Sequence, residues 1–121
     1  MATLNANTVT DGSSNITARA WVNFNFETTP TIRKAYNVNS LTRNGTGDYT
    51  VTFSITFADA NYVTLATGQD ITAGTNTSAP SVGLVDSGTA SPTTTAVRLS
   101  GVNATGSAVI DFPTCNVLVF R

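Results

Sequence analysis

Residues 48–57, DYTVTFSITF, alternate without a break. Tyr49, Val51, Phe53, Ile55 and Phe57 share one parity, and Asp48, Thr50, Thr52, Ser54 and Thr56 share the other. A period of two held over ten residues belongs to a β-strand with one face on a core and one in water. The preceding residues 37–43 run into Asn44-Gly45-Thr46-Gly47, so the two stretches are predicted to pair as an antiparallel hairpin closed by a glycine-containing loop. The chain is therefore expected to be all-β.

The same reading carries along the rest of the chain. Residues 16–26 alternate again, with Ile16, Ala18, Ala20, Val22, Phe24 and Phe26 inward and Thr17, Arg19, Trp21, Asn23 and Asn25 outward. Residues 27–31, with Pro30, break the pattern as a turn would, and residues 32–35 are too short for more than a turn. In the arm 36–43 the apolar phase slips between Val38 and Leu41, which predicts a β-bulge near Asn39-Ser40. Asp59-Ala60-Asn61 reads as a turn into a strand over 62–67, stopped by Gly68. Residues 69–95 hold one short apolar run, 82–85, and read as loops around one or two short strands. Residues 96–102 and 107–112 propose a second hairpin, and 115–120 a closing strand. In that closing strand Val117 and Val119 point one way and Leu118 and Phe120 the other, so both faces need cover. Either the strand is central in a sandwich or a neighbouring subunit covers one side. The sum is an antiparallel β-sandwich or jelly roll of about six to eight strands, one domain over 16–121 behind an N-terminal arm over 1–15.

Composition narrows what such a scaffold can do. Thr, Asn and Ser supply 45 of 121 residues, and charged residues only 11%, against about 25% in an ordinary domain. A net charge of −1, with a single lysine, offers no attraction for phosphate backbones or anionic lipid, so no nucleic-acid partner is expected. No stretch approaches the roughly 18 apolar residues of a membrane helix, and no membrane insertion is expected. The opening residues lack the basic and apolar regions of a secretory signal, so export by that route is not expected and four Asn-X-Ser/Thr sites are taken as unused. Without histidine the commonest general base and transition-metal ligand are missing. The single cysteine, Cys115, excludes an intrachain disulfide and reads as a small core residue.

Few side chains present themselves as functional. The seven acids, Asp11, Glu27, Asp48, Asp59, Asp70, Asp86 and Asp111, show no spacing that favours a catalytic pair, and Asp59-Ala60-Asn61 is only a fragment of a calcium loop. No catalytic residue, metal or cofactor is expected. Trp21, on the outward parity of its strand, suits a sugar-stacking platform, an anchor in a subunit interface or a residue under a covering loop. Trp21, Leu118 and Phe120 are candidates for a subunit interface. Gln69, Asp70, Thr72, Asn76 and Thr77, in the long polar loop after 68, are candidates for receptor contact.

Four stretches, ARAWVNFNF at 18–26, IRKAYNVNSLTRNGTGDYTVTF at 32–53, FADANYV at 57–63 and VLVFR at 117–121, resemble in order and spacing a small domain of tailed bacteriophages. That domain typically forms the C-terminal part of tail-fibre or related virion proteins. The resemblance spans most of 18–121, with no shared motif over 69–115. It implies an exposed homotrimeric tip or knob on a virion, made in the host cytoplasm, that contacts other virion proteins and a bacterial surface glycan or protein receptor. The family domain usually follows a long shaft, whereas here about fifteen residues precede it. An excised tip and a short head or tail decoration protein with no receptor-binding role both fit.

Overall fold

The computed structural model describes Gly12 and residues 17–27, 29–69, 80–85, 92–103 and 105–121. Among them every regular element is a strand: β1 (Ala18–Asn25), β2 (Thr31–Tyr36), β3 (Val38–Gly45), β4 (Asp48–Phe53), β5 (Val63–Gln69), β6 (Ser81–Leu84), β7 (Ala96–Val102) and β8 (Thr114–Phe120). They form two four-stranded antiparallel sheets, ordered β2-β1-β8-β5 and β3-β4-β7-β6. The chain is an all-β sandwich.

Alternation builds its interior. Ala20, Val22 and Phe24 of β1 and Cys115, Val117 and Val119 of β8 meet Tyr49, Val51 and Phe53 of β4 and Val97 and Leu99 of β7 in one core, completed by Phe26 and Phe57. Two aromatic clusters fill it. Tyr49 packs against Phe24 and Phe26 at centroid distances of 5.2 and 4.2 Å, and Phe57 packs against Phe53 and Tyr62 at 4.7 and 5.1 Å. Such ring pairs contribute about 0.5–1.5 kcal/mol each beyond burial alone. The Tyr49 hydroxyl lies 3.0 Å from Cys115 Sγ, so the two polar groups in this apolar space satisfy each other.

The β3–β4 hairpin closes through residues 46 and 47, with Gly47 at φ 64°. A side chain there would meet the carbonyl of Gly101 and the amide of Ile110 at 2.8 Å, so glycine is required twice over. Asp111 ties the loop down by accepting the Gly47 N–H at 2.8 Å while pairing with Arg43 at 2.7 Å. The β3–β4 register shifts between Val38 and Ser40, at the bulge expected there.

Several expectations are corrected. Residues 32–35, expected as no more than a turn, lie in β2, which pairs with β1 from Thr31 to Tyr36, and the arm expected over 36–43 begins instead at Val38. β2 is an edge strand on which every residue except Ala35 is exposed, so it has no alternation to reveal it. β4 stops at Phe53 rather than running to Phe57, and Ile55 is 71% exposed. The cause is Asn37, held at φ 53°, whose Oδ1 accepts the Ile55 N–H at 2.6 Å and so diverts the chain from the ladder. β5 continues through Gly68 to Gln69, and residues 107–112 contribute only a single bridge, Val102 to Val109, in place of a second hairpin strand.

Phe112 connects those last two observations. Its fully buried ring lies flat against the backbone of both sheets, where a Cβ on Gly68 would come within 2.5 Å of Cδ2 and one on Gly101 would overlap Cε2. The two glycines are cut-outs for that ring. Replacing Gly101 by alanine therefore overpacks the core, and a loss of about 1–3 kcal/mol is expected from urea unfolding, with Gly83→Ala, in open space, as the near-neutral control.

Two further outcomes follow from the polar groups. The hydrogen bond from Arg98 holds the Asp48 carboxyl below its ordinary value of 3.8, against the opposing effect of burial. A depressed carboxylate stabilises the fold fully above 3.8 and progressively less as pH falls through its folded value. The deficit of Arg98→Leu against the parent should thus be largest near neutral pH and shrink below about pH 4 in urea midpoints. Burial pushes the Cys115 thiol up to about 11, so thiol labelling should be negligible in the folded protein at about pH 8 and rapid after unfolding.

Candidate binding face and cleft

The outward side of the β2-β1-β8-β5 sheet carries rows of side chains in strict cross-strand register. Trp21 faces Tyr36 on β2 and Leu118 on β8, and Leu118 faces Leu65 on β5. Tyr36, Trp21, Leu118 and Leu65 therefore form one apolar row across all four strands, with neighbours close enough to pack. Val63 and Phe120, paired with each other, extend it by a second row. Tyr36, Val63 and Leu65 are 57–59% exposed and Leu118 38%. The row on the other side is polar: Asn23 donates to Asn116 Oδ1 at 2.6 Å, and Asn116 donates to Thr67 Oγ1 at 3.2 Å. An apolar patch bounded by a hydrogen-bonded polar ladder has the anatomy of an interface core and rim.

β5 makes the patch unusual. Its inward positions are Thr64, Ala66 and Gly68, while its large residues Val63 and Leu65 face out. Thr64 Oγ1 is buried with no hydrogen-bond partner among the described residues. A strand that had only its own core to satisfy would show the opposite pattern. At Gly68 a side chain would run into the Phe112 ring, so that inward position is confined to glycine.

Beside this face, where β1 begins and β8 ends, lies a cleft of about 950 Å³. Arg19 and Trp21 come from β1, Tyr36 and Asn37 from the β2–β3 junction, and residues 55–58 with Arg121 form the opposite side. Asn37 fixes the wall: besides accepting from Ile55, its side-chain amide donates to the Arg19 carbonyl at 3.0 Å and the Ile55 carbonyl at 3.4 Å. Arg121 is anchored by a two-pronged pair with Asp59, whose other backbone-facing contact caps Asn61 at 2.8 Å. The guanidinium holds the Asp59 carboxyl below the usual carboxylate range.

The three expected interface residues, Trp21, Leu118 and Phe120, are thus brought onto one face, and Tyr36, Leu65 and Val63 join them. Those three were missed because β2 had no visible period and the orientation of β5 is not encoded in its own parity. Of the expected receptor-contact residues, Gln69 is exposed at the end of β5 opposite Val63, about 20 Å from the cleft at β-strand spacing. Asp70, Thr72, Asn76 and Thr77 lie outside the described residues. Among the described residues, no group of three His, Cys, Asp or Glu side chains could hold a metal ion, and no helix is long and apolar enough to cross a membrane. In comparisons with known proteins the chain matches no family model, no curated protein and no solved structure.

Proposed function

We propose that the chain is the tip or knob domain of a bacteriophage tail fibre or spike: a non-enzymatic virion module that assembles as a homotrimer and attaches to the host cell surface. The observation that supports this reading most is the outward apolar patch of Val63 and Leu65 on β5 with Leu118 on β8, in cross-strand register and exposed on the side of the sheet away from the β1–β2 cleft. Each Å² of such surface removed from water stabilises an assembly by roughly 25 cal/mol, so several large side chains on one face favour association. The threefold state and the virion location come from the resemblance of 18–63 and 117–121 to phage tip domains. Surroundings rich in Thr and Asn and sparse in charge favour hydrogen bonding and ring contacts as the main means of recognition.

The solution mass tests assembly. The parent is expected to run at three times the chain mass of 12.6 kDa, and Leu65→Asp with Leu118→Asp to run as a folded monomer with an unchanged far-ultraviolet spectrum. A monomeric parent would overturn the trimer. Adsorption of the domain to host but not to non-host cells tests attachment; adsorption to neither replaces the receptor-binding reading with a purely structural role in the head or tail.

A further inference from the structure

We propose that the cleft beside Trp21 binds an acidic sugar residue, its ring on the Trp21 and Tyr36 side chains and its carboxylate on Arg19. This rests on the receptor-binding reading and gives it a site and a ligand class. Four of the five arginines are committed: Arg43 to Asp111, Arg98 to Asp48, Arg121 to Asp59, and Arg33 to the Pro113 carbonyl and Thr114 Oγ1. Arg19 is different, since no described residue hydrogen-bonds its guanidinium, and it lines the cleft. A planar fork of donors with nothing to hold is suited to a carboxylate, which it grips through two parallel bonds.

The rest of the cleft selects a sugar over other anions. Trp21 and Tyr36 stand side by side in cross-strand register, giving amphipathic rings on which the apolar face of a pyranose can lie. The volume, about 950 Å³, admits one or two sugar rings. A single uncommitted arginine is too little charge for a nucleic-acid backbone. The wall is set before any ligand arrives, because the Asn37 side chain already clamps both Arg19 and Ile55 main chains, so little ordering cost falls on binding. The site lies at the end of the sheet opposite Gln69, away from the long loop in which receptor contacts were expected.

Trp21 is the only tryptophan, so the emission of the full chain reports directly on this cleft. Digalacturonic acid is expected to change it saturably, with a neutral digalactoside at least about tenfold weaker and acetate without effect. Arg19→Gln should weaken digalacturonate about tenfold, the loss expected for hydrogen bonds to a charged group, and leave the neutral sugar unchanged. An equal response to both sugars, a response to acetate alone, or no response to any of the three overturns the proposal. Host cells bound equally by parent and Arg19→Gln, with Trp21 silent to digalacturonate, would sink the cleft and leave receptor binding standing. A Trp21 response with no adsorption to host cells would sink receptor binding and leave the sugar site.

Discussion

The contact on which the sandwich depends is Phe112 against the bare backbones of Gly68 and Gly101. A chain with so few large apolar side chains has to close its two sheets around a small number of rings, and here one of those rings comes from a loop rather than a strand. Phe112 reaches the interior because both glycines are cut away beneath it, one in each sheet. The remaining rings form the Phe24–Phe26–Tyr49 and Phe53–Phe57–Tyr62 clusters, and aliphatic residues of β1, β4, β7 and β8 complete the core.

β5, the strand that carries Gly68, turns Thr64, Ala66 and Gly68 inward and presents Val63 and Leu65 to the outside. These fall in register with Leu118, Phe120, Trp21 and Tyr36, so the apolar character of the outer face is set by cross-strand pairing. The Asn37 clamp acts at the neighbouring corner. By holding a left-handed residue and taking the Ile55 amide, it ends β4, lifts residues 55–58 away from the sheet and leaves the cleft between them and β1. The cleft thus follows from a contact between residues 18 positions apart, which is why it has no sequence motif of its own.

Legibility in the sequence followed burial. β1 and β4 each have one face in a core and one outside, and their alternation placed Val22, Phe24, Tyr49 and Val51 correctly, whereas the continuous apolar run of β8 left its inward face to be decided by the structure. The slip of phase between Val38 and Leu41 was enough to locate the bulge in β3. β2 was hidden, because a strand exposed on both faces has no period to detect. Residues 107–112 misled for the opposite reason: their apolar residues serve one bridge at Val109 and one plug at Phe112, not a strand face. In the candidate interface, Trp21 was readable as an apolar residue on the outward parity of its strand, whereas Leu118 and Phe120 were singled out only because their strand was apolar on both faces.

The sequence by itself determined the class of the fold, the inward faces of β1 and β4 and the scarcity of charge, since those are properties of alternation and composition. Only the tertiary structure decided which outward residues become neighbours, that β5 shows its large side chains to the outside, and that Arg19 alone among the arginines lines a cleft without a partner among the described residues. Strand parity is local and can be read from the chain, whereas register, strand order and the choice of a loop ring as core filler are set by residues dozens of positions apart.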